Sequence, residues 1–271
     1  MFIPLHDDNP TVRKPVATLL IIAINVVSFV WFLGLSPQRS HGVQFHRGFV
    51  PARVAQLTHP EPLRVSFEEV VPGPFGSEML VERQVTLQPV RGEILLSLLT
   101  CMFLHGGWLH LIGNMWFLWL FGNNVEDRLG SIWFCILYLI GGLLASGCHW
   151  LSSPSSTAPV IGASGAVAAI LGAYAITWPW ARVRTLVFLF VLITTIDLPA
   201  LLVLGLWFVG QVLAGTQQLE AGVAGGVAFW AHAGGFLAGV FLMPLLSAAI
   251  SPPASQVIIQ EKGYDTNWPN C

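Results

Sequence analysis

The sequence predicts an all-α, polytopic membrane protein whose six transmembrane helices form one bundle. Hydrophobic residues make up 54% of the 271 residues and charged residues only 10%, whereas a soluble domain carries roughly 25% charged residues. The apolar residues also fall in runs close to the length of about 20 residues that a helix needs to cross a bilayer. A soluble core cannot enclose this much apolar surface, so we expect lipid to solvate much of the chain.

Six apolar segments are the candidate spans. They are residues 16–35, 107–121, 132–151, 162–178, a segment within 185–212, and 229–246. The fifth stretch is too long for one ordinary span, and Asp197-Leu198-Pro199 interrupts it. We therefore place the fifth span after Pro199 and the preceding part near the membrane interface.

The spans divide the chain into three regions. Residues 1–15 form an N-terminal segment, residues 16–250 the transmembrane domain, and residues 251–271 a polar C-terminal tail. Within the domain, residues 36–105 form a long first outer loop. This loop ends with the apolar run ILLSLLTCMFL, which is too short to span and is expected at the interface or packed on the protein.

Positive charge alternates between the short loops and sets the expected orientation. The loops after the third and fifth spans lack Lys and Arg, whereas positive charges flank the other ends at Arg13, Lys14, Arg128, Arg182, Arg184 and Lys262. The positive-inside rule then places both termini, including the tail, in the cytoplasm. The compact plan without a targeting presequence favours a bacterial inner membrane. A net charge of −2 offers no basic patch for nucleic acid.

Four polar residues share one depth in the predicted bundle. His110 and Asn114 lie in the first two turns of the second span, while Ser164 and His232 lie in the first turns of the fourth and sixth. These three spans all run inward from the outer side, so the four residues lie roughly 5–10 Å below the outer helix ends. His110 and Asn114 are four residues apart and share one helix face.

Small residues allow the fourth and sixth spans to approach each other. Such residues repeat at every fourth position, at Ser164, Ala168 and Gly172 and at Ala231, Gly235 and Gly239. These stripes let helix backbones pack closely in lipid. Ser164 and His232 lie on or beside the stripes near matching ends, and a serine hydroxyl beside an imidazole is a nucleophile with its general base.

The same layer offers donors for an oxyanion. Asn114 supplies an amide N–H, His110 a ring N–H, and the start of the helix at Ser164 unpaired backbone N–H groups. Gly162 and Gly165 leave the serine accessible. A zinc site has three or four protein ligands, and no carboxylate or thiolate lies at the depth of these residues. We therefore expect no metal and no cofactor.

Three motifs resemble the rhomboid family of intramembrane serine proteases. They are FLHGGWLHLIGNMWFLWLFGNNVEDRLG at 103–130, GASGA at 162–166 and AHAGGFLAG at 231–239. They occur in the order of the family, on the second, fourth and sixth spans. The resemblance implies a six-helix, rhomboid-like bundle whose water-filled cavity opens to the outer side.

The resemblance also implies residue roles. Ser164 is the expected nucleophile, His232 the general base, and His110 and Asn114 the oxyanion stabilisers. Some members carry an aromatic residue four positions after the nucleophile, stacked on the catalytic histidine. This chain has Ala168 there, so His232 must be oriented by another group.

Two further pairs match structural positions of the family. Glu126 and Arg128 match a pair at the cytoplasmic end of the second span, and Gly235 and Gly239 match its close-packing glycines on the sixth.

The expected activity is hydrolysis of single-pass membrane proteins near the outer end of their transmembrane segments. Two other classes stay open. A non-catalytic protein that binds membrane clients would tolerate Ser164→Ala. A transporter would need a polar path through both leaflets, and the inner half of the spans offers little beyond Asp197. His105 and His149 are expected at the interface or in loops, without a chemical role.

Overall fold

The computed structural model describes residues 2–72, 77–189, 192–221 and 227–250. The predicted tail, 251–271, lies outside the described residues. Helices make up most of the described chain, which confirms the predicted helical architecture. The α-helices are α1 (Val16–Leu33), α2 (Pro37–Arg47), α3 (Arg91–Thr100), α4 (Trp108–Leu129), α5 (Ser131–Ser152), α6 (Ser164–Thr177), α7 (Ala200–Glu220) and α8 (Phe229–Ala248).

Four of these helices, α1, α5, α7 and α8, are long and apolar enough to cross a membrane. A fifth span is formed if α3 and its continuation to Phe103 are counted with α4, to which they lie at an angle of 79°. The chain is therefore an integral membrane protein. The fourth predicted span corresponds to α6, which has only 14 residues.

Helix α6 lies at the centre of the bundle and packs on α4, α5, α7 and α8. Eleven consecutive residues of α6, 165–175, are buried. The contact with α8 is the tightest, because a Cβ on Gly239 would overlap the backbone oxygen of Ala169 and one on Gly235 that of Gly165. Glycine therefore lets the two backbones touch at these positions.

The segment between α1 and α4, predicted as the first outer loop, is an ordered unit, and its strands are absent from the sequence-based expectation. It contains α2, a 3₁₀ helix at Pro51–Leu57, and an antiparallel hairpin of β2 (Leu63–Pro72) and β3 (Glu78–Leu87). A small core of its own fixes the unit, formed by Phe45, Val50, Val65 and Leu87. The final apolar run forms α3 and the short helix Cys101–Phe103, and α3 contacts α2 and α5.

A second, three-stranded sheet was also not predicted. Its strands are β1 (Phe2–Asp7), β4 (Arg182–Leu189) and β5 (Leu192–Pro199), in the order β1-β4-β5. The interval that we expected at the interface before Pro199 is thus an antiparallel hairpin, and α7 begins directly after it. Along β4, every second residue is buried, at Val183, Thr185 and Val187, which is the periodicity of a half-buried strand.

Strand β1 is fastened to the bundle through side-chain hydrogen bonds. The buried Asp7 carboxylate accepts from Asn124 Nδ2 at 2.8 Å and from the Tyr174 hydroxyl at 2.7 Å. Burial raises the pKa of Asp7, and the hydrogen bond from Tyr174 opposes that rise. Trp116 donates to the backbone oxygen of Pro4 at 2.8 Å. The N-terminal segment is therefore part of the folded protein.

Candidate active site

One cavity brings together the four polar residues that the sequence places at one depth. It has a volume of about 1060 Å³ and lies among α4, α6, α7, α8 and the connection between α5 and α6. His110, Asn114, Ser164 and His232 all line it.

The nucleophile candidate, Ser164, is the first residue of α6, and the chain before it is shaped by Gly162. Gly162 has φ of +128°, which an L side chain rarely adopts. A Cβ at this position would lie 2.5 Å from His110 Nε2 and 3.5 Å from Ser164 Oγ. A side chain at position 162 would therefore occupy space beside both the His110 ring and the Ser164 hydroxyl.

His232 is held near Ser164 by the tight contact between α6 and α8. A Cβ on Gly165, the residue after the serine, would lie 3.8 Å from the backbone oxygen of Ala231, the residue before the histidine. In the described part of the chain, Ser164 and His232 form no hydrogen bond with each other. Catalytic hydrogen bonds of this kind are often long before substrate binds and shorten in the complex.

The ring of His232 has partners on α7 that sequence reasoning missed. Its Nδ1 lies 2.6 Å from Gln211 Oε1, and Trp207 stacks on the ring with centroids 6.0 Å apart and an angle of 29°. The available signal was a glutamine inside the apolar fifth span, where a polar side chain needs a partner. These two residues supply ring contacts that the methyl side chain of Ala168 cannot supply.

His105, which was expected at the interface or in a loop, lies in the connection between the helix Cys101–Phe103 and α4, where it has partners that were not predicted. It is fully buried and its Nε2 accepts from Asn114 Nδ2 at 3.1 Å. Its ring also meets His110 edge-on, with centroids 5.1 Å apart and an angle of 68°. His105 thus orients both predicted oxyanion donors, while the second N–H of the Asn114 amide stays available. His149, for which no role was expected, lines the cavity as well.

Glu126 lies away from the cavity and holds helix ends together. Its carboxylate accepts hydrogen bonds from the backbone N–H groups of Ala17 and Thr18, both at 2.8 Å, and from the Ser131 hydroxyl at 2.6 Å. The first N–H groups of a helix lack intrahelical partners, so α4 caps α1. Arg128 Nη1 is buried with no hydrogen-bond partner among the described residues.

These features define a helical integral membrane protein with a polar cavity among its helices, whose lining includes Ser164, His110, His232 and Asn114. Comparison with known proteins identifies the family. The model of the rhomboid domain matches residues 92–249, which is more than half of the chain. The chain belongs to the rhomboid family.

Curated relatives agree with this assignment. The chain is 32% identical over 162 residues to Rhomboid-like protein 11, chloroplastic, of Arabidopsis thaliana, covering 55% of this chain and 51% of the relative. It is 26% identical over 250 residues to Rhomboid protein 1, mitochondrial, of Saccharomyces cerevisiae, covering 88% of this chain and 66% of the relative. A third relative is Presenilin-associated rhomboid-like protein A, mitochondrial, of Danio rerio, 28% identical over 164 residues, covering 58% and 39%.

The chain thus spans between 39% and 66% of the length of these three relatives. Their names place them in plastids and mitochondria, so they do not support the expectation of a bacterial inner membrane.

Proposed function

We propose that the protein is an intramembrane serine endopeptidase that cleaves transmembrane segments of single-pass membrane proteins. The observation that carries this proposal is the convergence of Ser164, His232, His110 and Asn114 on one cavity. A hydroxyl, a proton acceptor and two oxyanion donors are the groups that acyl transfer needs.

The proposed reaction proceeds through an acyl-enzyme. Ser164 Oγ attacks the carbonyl carbon of the scissile peptide bond while His232 Nε2 takes the hydroxyl proton. Asn114 and His110 donate to the oxyanion that forms. Collapse of this intermediate breaks the C–N bond, and His232 returns the proton to the leaving amine. Water, activated by His232, then releases the acyl group from Ser164.

We place the cavity in the outer leaflet and both chain termini on the opposite, cytoplasmic side. Asp7 bonds to Asn124, which is ten residues further along α4 than Asn114. At 1.5 Å per residue, this separates the N-terminal strand from the cavity by roughly 15 Å along the helix. The substrate segment must unwind to expose its peptide bond, so we expect cleavage near its outer end.

Labelling with a serine-reactive fluorophosphonate tests the proposal without knowledge of the natural substrate. Purified wild type in detergent should be labelled, and Ser164→Ala and His232→Ala should not. Ser155→Ala is the matched control, because Ser155 lines the same cavity; it should be labelled like the wild type. Folded wild-type protein that takes up no label would contradict the proposal.

A client-binding protein without activity is the second candidate. It is favoured by the absence of a Ser164–His232 hydrogen bond in the described part of the chain. This function predicts that Ser164→Ala still captures a single-pass reporter as strongly as wild type, with no cleavage by either protein.

Asn114 gives a prediction within the protease mechanism. Asn114→Ala removes an oxyanion donor, so kcat for a cleavable reporter should fall by about 10²–10³-fold while KM changes little. Steady-state kinetics check this, with a thermal melt in detergent to verify the fold, because His105 loses its hydrogen bond. A rise in KM at unchanged kcat would instead assign Asn114 to substrate binding.

A further inference from the structure

Helix α7 presents two side chains to the ring of His232. Trp207 and Gln211 are four residues apart, so they share one face of the helix. Trp207 stacks on the ring at 6.0 Å between centroids, and Gln211 Oε1 lies 2.6 Å from Nδ1. Both residues also line the cavity. Trp207 thus restricts the tilt of the imidazole plane, and Gln211 restricts the position of Nδ1.

The contact with Gln211 fixes where the ring proton lies. A glutamine Oε1 only accepts hydrogen bonds, so Nδ1 must carry the proton in this contact. A neutral imidazole has one N–H, and Nε2 then keeps its lone pair. A general base for Ser164 needs this tautomer, because Nε2 must accept the hydroxyl proton.

We propose that Gln211 is a positioning residue that holds His232 in the tautomer able to deprotonate Ser164, with Trp207 restricting rotation of the ring. This inference rests on the proposed protease function. A carboxylate commonly does this work in serine hydrolases. A neutral amide does so here without the cost of placing an unpaired negative charge within the bilayer.

The site of Ala168 supports this assignment. Its methyl group lies on α6 at the cavity wall and offers no hydrogen bond or ring face to an imidazole. The orienting groups for His232 therefore come from α7, so the geometry of the dyad depends on the position of this helix.

The opposite orientation of the amide makes a contrary prediction. If Gln211 donated from its Nε2, the histidine Nδ1 would accept, and the ring proton would occupy Nε2, where it blocks base function. Gln211→Glu separates the two cases because a carboxylate accepts and cannot donate. Gln211→Met removes both the donor and the acceptor of the amide and keeps a side chain of similar length.

The kinetic test compares four proteins: wild type, Gln211→Met, Gln211→Glu and Gln217→Met. Gln217 is exposed on the same helix and does not line the cavity. We expect Gln211→Met to lower both kcat for a reporter and the rate of fluorophosphonate labelling by about 10–100-fold, with KM within about twofold, as for other orienting partners of a functional histidine. Gln211→Glu should recover most of this loss, and Gln217→Met should match wild type.

A spectroscopic measurement keeps the inference testable if a variant fails to fold. Wild-type protein labelled with ¹⁵N-histidine should show His232 as the Nδ1–H tautomer, assigned by comparison with His232→Ala. The Nε2–H tautomer would overturn the inference, as would unchanged kinetics of Gln211→Met or a folded Gln211→Glu that is as slow as Gln211→Met. Wild type that is not labelled by the fluorophosphonate would instead overturn the protease function itself, and the positioning role with it.

Discussion

Gly239→Ala should lower the free energy of unfolding by at least about 2 kcal/mol. The added Cβ would overlap the backbone oxygen of Ala169 and lie 2.7 Å from its carbonyl carbon. Backbone atoms cannot turn aside as a side chain can, so α8 must move away from α6, which is buried along its length. Overpacking of this kind typically costs about 1–3 kcal/mol or more. A thermal melt in detergent should show the midpoint lowered by roughly 5–10 °C.

Gly210→Ala is the matched control for this substitution. Gly210 lies within α7, and a Cβ there would meet nothing within 4 Å. Alanine favours a helix over glycine by about 1 kcal/mol, so this variant should be as stable as wild type or more so. Equal melting of the two variants would show that the α6–α8 contact is looser than described.

Removing the carboxylate of Glu126 should cost roughly 3 kcal/mol or more. Glu126→Ala leaves the N–H groups of Ala17 and Thr18 and the Thr18 hydroxyl without their acceptor, in a region that is buried. Each unsatisfied buried donor costs about 1–3 kcal/mol. The substitution also removes the favourable interaction between the negative carboxylate and the positive N-terminal end of the α1 dipole. Reversible unfolding in detergent measures the loss, and Glu126→Gln should fall between Glu126→Ala and wild type.

An exposed ion pair provides the comparison. Asp197 accepts from Arg184 at 3.0 Å on the surface of the β4–β5 hairpin. This hydrogen bond lowers the pKa of Asp197, but water and salt screen an exposed pair, so it contributes little to stability. Asp197→Asn should therefore unfold close to wild type. A loss for Glu126→Ala no larger than that for Asp197→Asn would contradict the capping role of Glu126.

The helical bundle and the membership of the cavity could be predicted from the sequence, because both depend on local patterns. A run of about 20 apolar residues has few structures open to it in lipid. Polar residues near the starts of three spans of like direction must lie at one depth. The prediction of Ser164 and His232 as site residues rested only on these two rules and on the chemistry of their side chains.

The strands and the orienting groups could not be predicted by the same means. Strand β1 pairs with β4, which lies about 180 residues later in the chain. In addition, the apolar β4–β5 hairpin resembles the start of a transmembrane span when only hydropathy is considered. Gln211 was visible as a polar residue in the fifth span, but its partner depends on the rotation of α7 about its axis. Likewise, His105 is buried through the bend between α3 and α4, which no local pattern specifies.

The pairing of β1 with β4 also constrains the order in which the protein can assemble during synthesis. Residues 2–7 are synthesised before the rest of the described bundle, and their partner strand emerges only after α1, α4, α5 and α6 have been made. Until then Asp7 lacks its partner strand, the Tyr174 hydroxyl becomes available only once α6 has been made, and the N-terminal segment must stay on its side of the membrane, unpaired. Closure of this sheet is therefore a late event that links the first residues of the chain to the completion of the bundle.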